Sequence, residues 1–482
     1  VFILVRNFSR KEAPALIVAA MFALSPLQSE SVAWVSAMSN LLYTAFFLAG
    51  SITYLSYIRD KRTKYFYYTL ALFILSLLSK PSAVTFPVVI LFLDIYFRRR
   101  FGRRVLLEKL PFFILSVAIG LMIILARQDA GHIIAISDRY SMWERPFLIA
   151  YALAFYISKL FAPLGLSAFH PYPDTPLPFD YFIAPLIPLA FIFLYTRLRA
   201  ESRRQYMVGM MFFLINIFLV LEIIPLGVQV VKERYVYLPS IGTYYAFASL
   251  LIFFFPLRKP TAKWPIIIVS LFLLWFGLNT YSRTLIWKES ISLWNDVIQT
   301  YPEASAAYIN RGNAYLALED YQFAVDDYSQ AIFHEPNAAD AYLNRAIGHY
   351  HLDKKTASLL DYDRAIAMGI DDAEAYNNRG LLRASIGDNE GALQDFAQAS
   401  KIEPTFVDAW VNLGLIYASN SSYARAFESF SSALKADPES ARAYYWRGML
   451  QINMQQYEGA CNDLKNAQTY GWPIGQLPEI CN

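Results

Sequence analysis

Charged side chains are scarce in this sequence. Asp, Glu, Lys and Arg make up 17% of its 482 residues, while 56% of the residues are hydrophobic. About a quarter of the residues of an ordinary soluble protein are charged, so the scarcity excludes a water-soluble globular protein. The composition instead indicates an all-α fold that contains a polytopic transmembrane domain.

Motifs for metal, nucleotide or nucleophilic chemistry are also lacking. The chain has five histidines and two cysteines, and none of them has the spacing of a zinc site. There is no P-loop, dinucleotide fingerprint or catalytic triad, so the sequence predicts no metal ligands. Cys461 and Cys481 allow either one disulfide in an oxidising compartment or two reduced thiols.

The two parts of the chain have net charges of opposite sign. Up to Arg283 there are 28 Lys/Arg and 13 Asp/Glu, and after it there are 14 and 26. The basic excess lies in short clusters between apolar runs, which is typical of cytoplasmic loops and not of a nucleic-acid surface. We therefore expect a boundary near residue 284 and no nucleic-acid partner.

Nine apolar runs are long enough to cross all or most of a hydrocarbon core of about 30 Å. The positive-inside rule places the four basic clusters between them, 59–64, 98–104, 197–204 and 258–263, in the cytoplasm. All four clusters can lie on the same side of the membrane only if a helix over 147–161 does not cross it and is interfacial or re-entrant. The region after the last span is then extracytoplasmic, in a periplasm or lumen. The runs cover residues 13–27, 32–57, 66–78, 84–97, 112–126, 183–195, 207–224, 237–255 and 264–279.

Internal repetition is the strongest signal after residue 284. A large aromatic residue and, four positions later, a small residue recur every 34 residues, which is the period of the tetratricopeptide (TPR) repeat. Such repeats stack into an α-solenoid with a concave groove. We predict a transmembrane domain over 1–284, a connecting half-repeat over 285–304, five TPR repeats over 305–474 and a tail over 475–482. The two columns are Tyr308, Tyr342, Tyr376, Trp410 and Tyr444, and Gly312, Ala346, Gly380, Gly414 and Gly448.

An asparagine column runs along the first helices of these repeats. Its position faces the predicted groove, where side-chain amides can hydrogen-bond the backbone of an extended polypeptide. The alternative is a common exposed residue without a ligand. The predicted peptide-binding residues are Asn310, Asn344, Asn378 and Asn412, with Trp446 in the fifth repeat.

Polar residues in the predicted outer turns of the transmembrane domain are the other candidates. Each of them alone fits an interfacial anchor or a local salt bridge. Together, cations that face one side of a membrane suit an anionic lipid phosphate. The candidates are Glu30, Lys80, His170, Lys232, Arg234 and Tyr235.

Four short motifs in the N-terminal part, followed by TPR repeats, resemble the pattern of a known protein family. They are LSPLQSESVAWV at 24–35, SKP at 79–81, FHPYP at 169–173 and KERYVYLP at 232–239. The chain resembles the transmembrane and TPR-repeat protein O-mannosyltransferases and their bacterial relatives, which are similar to C-type glycosyltransferases. Ser25 and Gln28 stand where the family pattern has histidines, whereas Glu30 is kept.

The resemblance implies transfer of a sugar from a polyprenyl-phosphate donor to protein hydroxyls, with a divalent metal often helping. Lys80, Lys232, Arg234 and Tyr235 would contact the donor phosphate, His170 would lie near the donor or acceptor, and Glu30 would be a supporting carboxylate or metal neighbour. The family's acidic base lies in the first outer loop, which we expect upstream of Val1. The alternatives are a non-catalytic membrane scaffold for envelope partners and a polymerase or ligase of lipid-linked glycans.

Overall fold

The computed structural model describes residues 1–100, 102–129, 140–173, 175–221, 229–255, 263–474, 478 and 481. Parts of several predictions lie outside these residues. They are Phe101, Arg258 and Lys259 of the basic clusters, residues 222–224 of one apolar run and most of the tail over 475–482.

The described residues form an all-α structure, which confirms the predicted fold class. The chain divides into an N-terminal unit, Val1–Pro302, and a repeat unit, Glu303–Asn482. Helix Ser290–Thr300, within the segment predicted as a connecting half-repeat, belongs to the N-terminal unit.

The N-terminal unit contains fourteen α-helices among its described residues. Most of them coincide with the apolar runs, because a helix satisfies its own backbone hydrogen bonds. In chain order they are α1 Phe2–Ser9, α2 Glu12–Leu24, α3 Ser29–Ala33, α4 Met38–Asp60, α5 Thr63–Ser79, α6 Phe86–Tyr96, α7 Arg103–Asp129, α8 Arg145–Phe161, α9 Phe179–Ile183, α10 Leu186–Arg197, α11 Ala200–Ile217, α12 Ser240–Phe254, α13 Lys263–Ile286 and α14 Ser290–Thr300.

Length and composition qualify four described segments to cross a membrane: Val35–Asp60, Val105–Ala126, Phe179–Arg197 and Ile266–Ile286. The bent pair Glu12–Leu24 and Pro26–Ala33, with a 55° break, makes a fifth if it counts as one span. Other predicted runs form shorter helices such as α6, whose 11 residues extend about 16 Å at 1.5 Å per residue.

Aromatic packing builds the core between α4, α5, α6 and α7. The ring of Phe86 stacks on Phe73 with centroids 5.1 Å apart and meets Phe47 edge-on at 4.9 Å. Phe112 closes the group at 5.4 Å from Phe73. All four rings are fully buried. Such pairs add about 0.5–1.5 kcal/mol each beyond the burial of their area, so this cluster holds the four helices together.

The repeat unit consists of five helical hairpins. In each hairpin the predicted small residue packs under a large residue of the second helix; a Cβ added to Gly414, for example, would lie 2.6 Å from the Phe430 ring. The helices are α15 Ser305–Ala317, α16 Tyr321–His334, α17 Ala339–His351, α18 Lys355–Ala367, α19 Ala373–Ser385, α20 Asn389–Ile402, α21 Val407–Ser419, α22 Tyr423–Ala436, α23 Ala441–Asn453 and α24 Tyr457–Thr469.

A pair of glycines allows two helices of the N-terminal unit to touch backbone to backbone. Gly209 of α11 faces Gly242 of α12. A Cβ on Gly209 would lie 2.7 Å from the Ala246 nitrogen, and one on Gly242 would lie 2.7 Å from the Phe213 nitrogen. Both distances are far below van der Waals contact, and a helix backbone cannot move aside as a side chain can. The crossing therefore requires glycine at both positions.

We expect Gly209→Ala to lower the free energy of unfolding by about 3 kcal/mol, the upper end of the usual cost of overpacking. Thermal unfolding of the purified protein in detergent measures the change. Gly120→Ala is the matched control, because no atom beyond the backbone of its own helix lies within 4 Å of its added Cβ, and it should leave the melting temperature unchanged or raise it. Equal melting temperatures for the two variants would contradict the close crossing.

Candidate functional site

The segment that carries the predicted cations is held by the backbone of Lys232. Its N–H donates to the Tyr156 hydroxyl at 3.1 Å, and that hydroxyl donates to its carbonyl at 3.2 Å. Directly after it, Glu233–Val236 forms a 3-10 turn. Three residues per turn send neighbouring side chains in different directions, so Glu233 and Arg234 leave the turn toward different partners.

Three cations surround the ring of Tyr235. The Lys80 Nζ lies 5.1 Å from the ring centroid, the Lys232 Nζ 5.6 Å and the Arg234 Cζ 5.6 Å. All three side chains are half-buried. We call Lys80, Lys232, Arg234 and Tyr235 the cationic cluster. Residues 152 or more positions apart in the sequence thus meet at one place, and they are the four predicted phosphate contacts.

Glu30 balances one of these charges. Its Oε2 accepts the backbone N–H of Arg234 at 2.7 Å, and its Oε1 accepts the Arg234 guanidinium. The carboxylate is 2% exposed. Each carboxylate oxygen thus accepts one hydrogen bond from Arg234, and a metal beside Glu30 stays a prediction. Among the described residues no group of three or more His, Cys, Asp or Glu side chains could hold a metal ion.

Lys80 has no carboxylate within ion-pair distance among the described residues, and neither has Lys232. The Lys80 ammonium instead donates to the Asn40 side-chain oxygen. Burial, followed by repulsion from Arg234, lowers the pKa of Lys80 to about 8. The cluster therefore has more positive than negative charge, and its cations are destabilised when no anion is present.

His170 lies in a separate cluster on the other side of the 3-10 turn. Its Nε2 is 3.1 Å from the Glu233 Oε1, and its Nδ1 is 2.8 Å from the Tyr301 hydroxyl. The Ser167 N–H donates to the same Glu233 oxygen at 2.7 Å. With 3% of its surface exposed and both ring nitrogens bonded, His170 fixes the orientation of Glu233. A catalytic role for His170 stays a prediction.

Sequence reasoning missed three residues that support the cationic cluster. They are Asn40, Tyr156 and Trp34, whose ring lies 5.1 Å from the Arg234 Cζ. Asn40 lies in the first turn of α4 and interrupts the apolar run over 32–57, and an amide there is a detectable signal. Tyr156 acts on a backbone 76 residues away, and no local pattern reveals that contact.

In the repeat unit the four asparagines already have partners within the protein. The Asn310 amide donates to the Ala306 carbonyl at 2.7 Å, and the Asn344 amide donates to Asn313 at 3.0 Å. Asn412 is 4% exposed, and its amide donates to Asn377 at 2.8 Å. Asn412 is therefore not the open groove residue that the sequence predicted. Peptide binding by Asn310, Asn344, Asn378 and Asn412 stays a prediction.

A second column, which sequence reasoning missed, directly follows the asparagines. An arginine pairs with an aspartate sixteen residues later in four of the five repeats, with each aspartate at most 9% exposed. In the fourth repeat both members change together, to Leu413 and Ser429. This joint change at the 34-residue step was the available signal. The pairs are Arg311–Asp327, Arg345–Asp361, Arg379–Asp395 and Arg447–Asp463.

Three of the four arginines also donate a hydrogen bond to the second helix of the preceding repeat. Arg379 donates to Asp363 at 2.7 Å, Arg345 to Ser329 at 3.1 Å and Arg447 to Ser431 at 3.2 Å. One guanidinium thus binds two successive second helices. The column joins neighbouring repeats and is part of their packing.

Two family models, each described as tetratricopeptide repeat, match the chain. One covers residues 305–338, and the other covers 377–441 and 412–463. No curated protein matches the chain. The predicted TPR repeats are confirmed, and both models lie within the repeat unit.

Several solved structures match about a third of the chain. YrrB, a TPR protein with an unusual peptide-binding site, is 19% identical over 37% of this chain and 92% of its own, with a TM-score of 0.34. PilF of Pseudomonas aeruginosa is 24% identical over 36% and 79%, with a TM-score of 0.33. MamA of Desulfovibrio magneticus is 17% identical over 34% and 94%, with a TM-score of 0.33.

We expect Arg447→Leu to destabilise the repeats by about 3 kcal/mol, because it leaves the buried Asp463 without its cation. Adding Asp463→Ser, which reproduces the pair of the fourth repeat, should restore more than half of the loss. Urea unfolding of a fragment over 289–482 measures both changes. Arg364→Leu, an exposed arginine of α18, is the control and should shift stability by less than about 0.5 kcal/mol. A double variant no more stable than Arg447→Leu would refute the pairing argument.

Proposed function

We propose that the N-terminal unit is a membrane glycosyltransferase that binds a polyprenyl-phosphate sugar at the cationic cluster and transfers the sugar to hydroxyl groups of a protein acceptor. The observation that carries the proposal is the convergence of Lys80, Lys232 and Arg234 on one ring, with Glu30 as their only nearby carboxylate ion-pair partner among the described residues.

The charge balance favours an anion at this place. Two lysines without carboxylate partners, in a half-buried setting, gain a counter-charge when a phosphate binds. The three cations contact the ring of Tyr235. Their N–H groups that are not donated to Glu30 and Asn40 would donate to such a ligand. The cluster also adjoins the first turn of α4, and Val35–Asp60 is long and apolar enough to cross a bilayer. A phosphate on a lipid would meet the protein at that depth.

The residues of the cationic cluster suit the departure of the phosphate in a sugar transfer. When an acceptor hydroxyl displaces the lipid phosphate at the anomeric carbon, negative charge develops on the departing phosphate, and Lys80, Lys232 and Arg234 would stabilise it. The acceptor proton needs a base. Glu30 is bound to Arg234 and Glu233 to Ser167 and His170, so neither carboxylate is assigned that role.

Sugar transfer, as opposed to phosphate binding alone, rests on the resemblance of the motifs at 24–35, 79–81, 169–173 and 232–239 to the O-mannosyltransferase family. The proposed location is a multi-pass membrane protein with the cationic cluster and the repeats on the extracytoplasmic side, which rests on the positions of the basic clusters. The TPR repeats would bind the acceptor or another protein partner.

A protein-interaction scaffold is the second candidate, and the confirmed TPR repeats favour it. Stacked helical hairpins present an inner surface on which polypeptides dock. In that case the N-terminal unit would anchor the repeats, and the cationic cluster would bind a lipid phosphate without transferring a sugar.

Binding of a polyprenyl-phosphate sugar should weaken as pH rises through about 8. A bound phosphate favours the protonated ammonium, so it raises the pKa of Lys80 above its unliganded value of about 8. The contribution of Lys80 to affinity is full below pH 8 and declines as pH rises from 8 toward the raised pKa of the complex, which predicts a loss of about tenfold in affinity between pH 7 and pH 9. Isothermal titration of the purified full chain in nanodiscs measures this profile.

The matched variants separate this contact from general effects of pH. Lys80→Arg keeps its charge throughout and should give a flat profile, whereas Lys80→Gln should bind weakly at every pH. Lys64→Gln, an exposed lysine at the start of α5, should follow the wild type. A wild-type profile for Lys80→Gln would exclude Lys80 from the phosphate site.

Sugar transfer is then measured with the same variants made in the native full-length protein and with an unfolded polypeptide acceptor. The enzyme proposal expects Lys80→Gln to lose about 10²–10³-fold in rate. Binding of the donor by the wild type without any transfer, in the presence of an acceptor, would favour the scaffold.

The asparagine column has its own test. Replacing Asn310, Asn344, Asn378 and Asn412 by Ala should weaken binding of an extended, unfolded polypeptide, since each hydrogen bond contributes about 0.5–1.5 kcal/mol net. Fluorescence anisotropy with a labelled unfolded polypeptide and the 289–482 fragment measures the affinity, and circular dichroism checks that both proteins fold. Unchanged affinity would leave these amides with only the internal contacts described above.

A further inference from the structure

A second concentration of cations lies in a cleft at the far end of α4. The cleft has a volume of about 530 Å³ and is lined by Arg6, Arg10 and Arg59 together with Glu12. Leu55 and Phe97 contribute an apolar wall. The mechanism proposed above uses none of these residues.

The connection between α1 and α2 creates the cleft. Arg10 adopts a left-handed backbone conformation with φ of 54°, and its N–H donates to the Arg6 carbonyl at 2.8 Å. This turn ends α1 and brings Arg6 and Arg10 to one side of the hairpin. The Tyr96 hydroxyl donates to the Phe8 carbonyl at 3.2 Å, which fixes α1 against α6. The cleft is therefore a consequence of the packed helices.

The charged side chains that line the cleft form few ion pairs. Neither Arg6 nor Arg10 forms an ion pair with any residue that the structure describes, and Arg59 pairs with the adjacent Asp60 on an exposed surface. Glu12 is the single carboxylate in the lining. Exposed neighbouring pairs contribute little, so the cleft keeps an excess of positive charge.

The length of α4 sets the distance between this cleft and the cationic cluster. Asn40, which contacts Lys80, and Arg59, which lines the cleft, are separated by nineteen residues of one helix. At 1.5 Å per residue this is about 28 Å, close to the roughly 30 Å of a hydrocarbon core. If Val35–Asp60 crosses the bilayer, the two groups of cations lie at opposite membrane faces.

We propose that this cleft binds the headgroup of an anionic phospholipid, on the membrane face opposite to the cationic cluster. A guanidinium group can donate two parallel hydrogen bonds to the oxygens of one phosphate, and it retains its charge at any physiological pH. The apolar wall that Leu55 and Phe97 provide beside the arginines suits the glycerol and first methylenes of a lipid, which a free phosphate lacks. This inference does not depend on sugar transfer.

The test uses the full-length protein in detergent, titrated calorimetrically with short-chain phosphatidylglycerol, short-chain phosphatidylcholine or inorganic phosphate. We expect phosphatidylglycerol to bind at least tenfold more tightly than either of the others. Equal binding of phosphatidylcholine would overturn the charge argument, and inorganic phosphate binding as tightly as phosphatidylglycerol would overturn the assignment to a lipid.

The double variant Arg6→Gln and Arg10→Gln should weaken phosphatidylglycerol binding at least tenfold. Both side chains are exposed, so the fold should tolerate the change. Lys61→Gln with Lys64→Gln removes the same charge from exposed residues outside the cleft lining and is the matched control. Arg59→Gln provides an independent check from α4. Equal affinities for the double variant and its control would overturn the site, and so would a wild-type affinity in Arg59→Gln.

Discussion

The pairing of Arg234 with Glu30 is the interaction on which the cationic cluster depends. It joins segments 204 residues apart and uses both the backbone and the side chain of Arg234. The carboxylate is almost fully buried, so removal of either partner would leave a charge in a poorly solvated place. This constraint sets the direction of the 3-10 turn, and through it the positions of Lys232 and Tyr235.

The same turn divides two chemical environments. Glu233 is held by the Ser167 N–H and His170, whereas Arg234 points to Glu30 and the ring of Tyr235. Adjacent residues of opposite charge thus serve different clusters. The phosphate would be bound on the side that has excess positive charge, whereas on the other side the Glu233 carboxylate already accepts hydrogen bonds within the protein. His170 and the three cations, all predicted as site residues, therefore have different surroundings.

Sequence patterns predicted the large features and some of the site. Period and composition were sufficient for the helices and for the TPR repeats, because burial of an apolar face dominates the energy of both. The resemblance assigned Lys80 and Lys232 to one phosphate site, and the structure brings both side chains to the ring of Tyr235. The role of Tyr156 and the burial of Asn412 did not follow, because they depend on side-chain directions set by contacts between distant segments. Asn412 shows the limit well: its column position matches that of Asn310, but Asn377 and Arg442 enclose it.

The repeats look interchangeable by period, but their polar contacts make their order matter. The arginine of one repeat binds the second helix of the repeat before it, as Arg379 does with Asp363. In the fourth repeat Leu413 takes the arginine position, and Ala397 in the third repeat occupies the slot that Asp363 has in the second. Moving the fourth repeat to follow the second would place a leucine opposite Asp363 and leave that carboxylate without its arginine. The repeats therefore cannot be permuted, duplicated or deleted without mismatching polar side chains at the interface with a neighbouring repeat.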